Sequence, residues 1–170
     1  MFWKNSKRTV NAMTQSKTQP PALAELQHTP LFHLAFPVRD LESTRTFYVD
    51  ILGCQVGRSA PTWIDFNFFG YQLSAHLVSE HTAPLTNPVD AHDIPVPHFG
   101  LVMNWEDWHR AVDHMNYIGI HFRVPPHIRF KDKVGEQGTF FLEDPSGNCL
   151  EFKAFRRQED VFREFAEQSP

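Results

Sequence analysis

The sequence predicts an α+β fold built from two pseudo-symmetric β-α-β-β-β modules, and three observations carry that expectation. Two apolar runs each hold a single histidine: PLFHLAFPV (Pro30–Val38) and PHFGLVM (Pro97–Met103). Each run is followed by a helix-periodic stretch and then by three short strand-like segments. Finally, GYQLSAHLV (Gly70–Val78) lies on GNCLEFKAF (Gly147–Phe155) glycine to glycine. Laying the start of one half on the start of the other puts His33 opposite His98, an internal repeat of roughly 65 residues.

The first strand is expected over Leu31–Val38, short, apolar and bounded by prolines. Asp40 then caps a helix to about Ile51, with Leu41, Phe47, Tyr48, Ile51 and Leu52 on one stripe and Gly53 as its stop. Strands follow at Cys54–Ser59, Thr62–Phe68 and Tyr71–Ser79. In the second of these Ile64, Phe66 and Phe68 alternate with Trp63, Asp65 and Asn67. Residues 81–96 hold several prolines and little periodicity, and read as a connector long enough to serve as a lid. The order then repeats. A strand at Pro97–Met103 leads to a helix capped by Asn104 and running to about Ile118, with Trp105, Trp108, Val112, Met115 and Ile118 facing inward. Strands at His121–Ile128, Gly138–Glu143 and Cys149–Phe155 complete the second half, the last two joined by the turn DPSGN (Asp144–Asn148). A closing helix over Arg156–Glu167 would bury Val161, Phe162 and Phe165.

These elements give a leader at 1–29, one domain at 30–155 (modules 30–80 and 97–155, joined by 81–96), and a C-terminal helix and tail at 156–170. With 170 residues and 41% hydrophobic side chains, the chain can bury a core of that size. A net charge of −4 without a basic patch argues against nucleic acid, and no apolar run is long enough to span a membrane. Two cysteines make no disulfide framework, which favours a reducing, cytoplasmic setting. Residues 1–24 contain no Asp or Glu, so an organellar transit peptide is the alternative for that segment.

His33 and His98 occupy equivalent positions, and Glu151 lies in the last strand between Leu150 and Phe152. A carboxylate in a strand with a buried reverse face needs a partner. Two imidazoles and a carboxylate can provide one by sharing a divalent metal, with coordination positions left open for water, substrate or dioxygen. A lone histidine in an apolar strand is more often an ordinary cleft residue, and Glu151 could equally sit on the wet face of a half-solvated sheet. The repeat is what favours the metal. Ser74 falls opposite Glu151, and His76 opposite Lys153. Trp63 is placed to line the cleft, and Arg129, between two strands, to anchor an anionic group bidentately.

The doubled module, the histidine at each module start and FLEDPSGNCLEF (Phe141–Phe152) resemble the vicinal oxygen chelate superfamily, which includes glyoxalase I, extradiol dioxygenases, fosfomycin-resistance transferases and the metal-free bleomycin-resistance proteins. The resemblance implies an incomplete barrel around a metal cleft, with His33, His98 and Glu151 as metal ligands. The fourth position, a carboxylate or amide ligand in glyoxalase I and the related epimerase, is Ser74 here. A three-ligand set is similar to that of the dioxygenases and fosfomycin transferases, although the tyrosine those enzymes carry ten residues before the glutamate is Phe141 in this chain. The implied ion is Fe(II) or Mn(II), with Zn(II) or Ni(II) as alternatives. The implied activity is a dioxygenase-type, ring-cleavage-like reaction on a small molecule with vicinal oxygens. The first alternative is a glyoxalase-like lyase or isomerase reaction with His76 as catalytic proton acceptor, and the second is a binding protein of the bleomycin-resistance kind. Trp63, Ser74, Arg129 and Phe141 are the candidate substrate contacts, and the resemblance implies a homodimer.

Overall fold

The structure is a computed structural model that describes residues 30–80, 85–89 and 92–164; the leader expected over 1–29 lies outside the described residues. Two four-stranded mixed sheets carry the fold. The first contains β1 (His33–Val38), β2 (Gln55–Ala60), β3 (Trp63–Phe68) and β4 (Tyr71–Leu77) in the order β1-β4-β3-β2. After an intervening hairpin of β5 (Leu85–Val89) and β6 (His92–Val96), the second holds β7 (Phe99–Met103), β8 (Val124–Arg129), β9 (Gln137–Glu143) and β10 (Cys149–Phe155) in the order β7-β10-β9-β8. The two orders are the same, as the repeat requires. In each sheet the first strand of the module runs parallel to the last. Ala35 pairs with Ser74 in one and Gly100 with Glu151 in the other, each two residues beyond its histidine.

Both helices start where a side chain satisfies a free backbone donor. The Ser43 N–H donates to Asp40 Oδ1 (2.7 Å), opening α1 (Leu41–Thr46), which continues as a π-helical turn through Ile51. The Asp107 N–H donates to Asn104 Oδ1 (2.8 Å), opening α2 (Trp105–Tyr117). The inner sheet faces and the helices share one core, with Phe36, Tyr48, Phe66 and Leu73 from the first module and Trp108, Phe140, Leu150 and Phe152 from the second. Trp108 Nε1–H donates to the Phe152 carbonyl (2.9 Å), and its indole lies so close over Gly138 that an added Cβ there would come within 2.9 Å of the ring.

The DPSGN turn is also a latch between modules. Asp144 accepts from the Ser146 N–H (2.9 Å), the Asn148 N–H (2.8 Å) and Asn148 Nδ2 (2.9 Å), while Gly147 takes a positive φ of 88°. Ser146 Oγ then accepts from the Arg39 N–H (2.9 Å), and Asn148 Nδ2 donates to the Pro37 carbonyl (2.9 Å). Tyr48 reaches the same carboxylate from α1's extension (3.4 Å). Burial pushes the Asp144 carboxyl above its usual range despite these donors.

Three expectations are corrected. Part of the segment read as a structureless connector forms the β5–β6 hairpin, with Pro88 paired to Asp93 and Pro95 to Thr86; prolines that cannot donate to a ladder hid an isolated two-stranded ribbon. The closing helix is a single 3₁₀ turn (Gln158–Phe162), and Phe162 is 96% exposed. The residue that turn buries is Asp160, which accepts from the Gly135 N–H (3.1 Å), Arg157 and Arg163, so polar anchoring fixes the segment where apolar spacing suggested a packed helix. Phe165 lies outside the described residues. Ile118 is 41% exposed rather than inward, because α2 ends at Tyr117. Among the described residues no helix is long and apolar enough to cross a membrane.

Candidate functional site

The main core takes one face of each sheet, and the chemistry lies on the other, more open faces, the second of which is partly covered where Ile94 packs against Val124, Phe141 and Cys149. In β1, Leu34, Phe36 and Val38 turn toward the core while His33, Ala35 and Pro37 are exposed. The histidine therefore interrupts only the wet side of a strand whose other side is apolar. The open face of the second sheet carries His98, Phe141, Thr139, Glu151 and Lys153, and with Ile94, His127 and Arg129 these line a cavity of about 210 Å³.

Glu151 is the centre of this cavity. Its Oε1 accepts from Thr139 Oγ1 (2.9 Å), and its Oε2 lies 2.9 Å from Lys153 Nζ and 3.4 Å from His98 Nε2. Burial pushes the carboxyl up, but His98, Lys153 and Thr139 together outweigh it and hold it at about 2. The hydrogen bond to Glu151 in turn raises the His98 imidazole, partly offset by burial. His98 is oriented from behind, since its Nδ1 donates to the Pro95 carbonyl on β6 (2.8 Å), leaving Nε2 to face the carboxylate. The ring of Phe141 stands edge-on to His98, with centroids 5.4 Å apart. β7 can lie this close to β10 only because residue 100 is glycine; a Cβ there would fall 1.7 Å from the Glu151 carbonyl oxygen.

The open face of the first sheet carries His33, Gln72, Ser74, Asp65, Trp63 and His76. Its centre is Asp65, which is buried and accepts from Ser74 Oγ (2.6 Å), Gln72 Nε2 (3.1 Å) and Arg58 Nη2 (3.0 Å). Burial pushes this carboxyl up as well, and the hydrogen bonds of Ser74, Arg58 and Gln72 bring it below the usual range. Arg58 also lies over the Trp63 ring (5.7 Å), and His76 pairs with Trp63 in the β3–β4 register.

The structure thus brings together His98, Glu151, Phe141 and Arg129, and separately Ser74, Trp63 and His76. His33 belongs to the second group. Among the described residues no three His, Cys, Asp or Glu side chains converge so as to hold a metal. Sequence reasoning did not find Thr139, although it lies on the same face two residues before Phe141, nor the Pro95 carbonyl, which belonged to the unrecognised hairpin. A larger cavity of about 640 Å³ opens beside Arg123 and Glu143. Those two pair with each other (2.5 Å), and the cavity lies apart from the carboxylate–imidazole pair.

His98 Nε2 and Glu151 Oε2 lie 3.4 Å apart, an ion pair when the imidazole is protonated. The Lys153 ammonium on Oε2 shows that positive charge is accommodated at that point. His98 and Glu151 offer a divalent ion two donors, and among the described residues no third His, Cys, Asp or Glu side chain joins them.

Fold and site together define a protein of paired β-α-β-β-β modules with a carboxylate–imidazole site on an open sheet face. The family model for the Glyoxalase/Bleomycin resistance protein/Dioxygenase superfamily matches residues 31–152, and the chain belongs to that superfamily. Among solved structures, a glyoxalase/bleomycin resistance protein/dioxygenase from Alicyclobacillus acidocaldarius is 33% identical, with a TM-score of 0.67 over 81% of this chain and 100% of that one. A genomically encoded fosfomycin resistance protein from Listeria monocytogenes is 16% identical, with a TM-score of 0.58 over 79% and 99% of the two chains. A putative glyoxalase family protein from Bacillus anthracis is 13% identical at a TM-score of 0.54, covering 76% and 97%. The last two likenesses speak to the fold alone. A comparison with curated proteins finds no match.

Proposed function

We propose that this chain is a divalent-metal-dependent enzyme acting on a small molecule with two neighbouring oxygens, and that its metal site is completed between two copies. The observation that carries this reading is the buried, ionised Glu151 beside His98 Nε2, with both groups oriented by partners of their own (Thr139 and the Pro95 carbonyl). His98 and Glu151 of one subunit and His33 of the partner subunit would hold the ion. Two imidazoles and a carboxylate suit Fe(II) or Mn(II). When bound, such an ion supplies Lewis acidity toward the substrate oxygens.

One feature supports the dimer: His33, Ala35 and Pro37 are exposed along one side of β1, so the face that carries His33 is available to a second copy. Within the cavity, Phe141 and Ile94 exclude water from the carboxylate, while Arg129 and Lys153 favour a substrate with an acidic oxygen.

The three-ligand set keeps the dioxygenase-type reading first. One observation favours a lyase or isomerase reaction instead. Ser74 is no proton acceptor, but the cross-strand Asp65 places an ionised carboxylate against it (2.6 Å), on the face that carries His33. His76, on the same face, is the other acceptor available.

The test is the metal content of protein purified anaerobically, as wild type and as His33→Ala, His98→Ala and Glu151→Ala. Stoichiometric Fe or Mn in the wild type, lost from all three variants, is expected. A wild type that takes up no divalent ion would end the enzyme reading and leave a small-molecule-binding protein of the bleomycin-resistance kind.

A further inference from the structure

The β5–β6 hairpin walls the Glu151 cavity but is lightly held to the rest of the molecule. Among the described residues it pairs with neither main sheet, and a two-stranded ribbon alone is marginally stable at best. Leu85, Thr86, Asn87 and Pro88 of β5 are all exposed, and of the five residues in β6 only Ile94 and Pro95 are buried. Ile94 seats in a small apolar cluster with Val124, Phe141 and Cys149, separate from the main core. Two polar contacts add to that seat. His98 Nδ1–H donates to the Pro95 carbonyl (2.8 Å), and Arg123 Nη2 donates to the Asp93 carbonyl (3.4 Å). Both end on main-chain oxygens that water satisfies when the hairpin lifts. His92 and Ile94 of the same hairpin line the cavity that holds Glu151. Unseating Ile94 therefore opens that cavity, takes the Pro95 carbonyl away from His98, and uncovers Cys149.

We infer that the β5–β6 hairpin is a flap over the Glu151 cavity, opening as a unit when Ile94 leaves its seat while both four-stranded sheets stay folded. Open, it admits a small molecule. Closed, it excludes water and returns the Pro95 carbonyl to His98, so entry and the orientation of that imidazole are one event. The inference takes from the reading above only that a small molecule binds in this cavity, and it needs no metal. The chain's two cysteines are natural reporters of the motion. Cys149, on the face of β10 that carries Glu151, is 2% exposed, and Cys54, in the main core, is 5% exposed. Burial pushes both thiols up to about 11, so a rigid molecule would protect Cys149 at least as well as Cys54.

The experiment is alkylation of the full, metal-free chain by iodoacetamide near neutral pH, with the modified cysteine assigned by peptide mass spectrometry. Wild type is compared with Ile94→Ala and Trp108→Phe. In wild type, Cys149 is expected to react about tenfold faster than Cys54 or more, because only the flap covers it. Low urea should leave the Cys149 rate nearly flat and raise the Cys54 rate steeply, since exposing Cys54 takes unfolding of the main core. Ile94→Ala is expected to speed Cys149 about tenfold or more. Trp108→Phe weakens the main core alike with the flap open or closed, so it should speed Cys54 and leave Cys149 at the wild-type rate. Cys149 reacting no faster than Cys54, an Ile94→Ala rate equal to wild type, or Trp108→Phe speeding both thiols alike would overturn the flap. If Ile94→Ala does not fold, wild type and Trp108→Phe still decide. None of these outcomes involves a bound ion, so the flap and the metal site stand or fall separately.

Discussion

Glu151→Gln tests the energetics of the site without touching its shape. Holding this carboxyl at about 2 rather than its ordinary 4.5 contributes about 3 kcal/mol to the stability of the metal-free protein at neutral pH. Because the folded value lies below the unfolded one, the contribution is complete above about pH 4.5 and is lost as the pH falls toward 2, with about two-thirds gone by pH 3. His98 moves the other way. Its imidazole is raised by Glu151, so its share is present below its ordinary 6.5 and fades as the pH rises through the higher folded value. The pair therefore stabilises most in the mildly acidic range between those limits. Urea unfolding of the metal-free proteins near pH 6 is expected to show Glu151→Gln about 3 kcal/mol less stable, a midpoint shift of about 1.5 M at a slope of about 2 kcal/mol/M. The gap should shrink to about 1 kcal/mol near pH 3. A gap below about 1 kcal/mol near pH 6, or one that does not change with acidification, would refute the reasoning.

Two further substitutions separate the site from its support. Gly100→Ala would place a methyl carbon 1.7 Å from the Glu151 carbonyl oxygen, so β7 and β10 must part; a loss of about 3 kcal/mol or more in urea unfolding is expected, together with loss of Mn(II) binding. Trp108→Phe removes the donor to the Phe152 carbonyl on the core side of β10. It should cost about 2 kcal/mol by the same assay while leaving Mn(II) affinity as in wild type, because Glu151 faces the other way.

How far the sequence could be read depends on which forces fix each part. β10 was predicted at its observed ends, Cys149–Phe155, because its core-side residues Leu150, Phe152 and Ala154 alternate with the open face and its turn has a residue type for each bond it makes. Asp40 and Asn104 were legible as caps for the same local reason. The β5–β6 hairpin was not, since its register is set by pairing that prolines conceal and by Ile94 seating against Val124 and Phe141. The C-terminal turn was misread because a buried Asp160, held by Arg157, Arg163 and the Gly135 N–H 25 residues away, outweighs the apolar spacing of Val161 and Phe162.

The repeat placed His33 and His98 at equivalent positions in equivalent sheets, and the register agrees. Equivalence under a pseudo-twofold is not adjacency, however. The shared core takes the inner face of both sheets, so His33 is exposed on the outer side of β1 while His98 lies in the cavity beside Phe141 on the other sheet. No periodicity in one sequence distinguishes a cleft closed within a chain from one closed between two.

The claim that the site is shared is tested most directly by mixing chains. His33→Ala and Glu151→Ala, each alone, should bind no Mn(II), since every site in either homodimer lacks a ligand. Unfolded together in equal amounts and refolded, half of the dimers are mixed, and each mixed dimer has one intact site. Recovery of about a quarter of the wild-type Mn(II) sites is expected. A mixture that binds none while wild type binds fully, or His33→Ala alone binding like wild type, would contradict a site built from two copies.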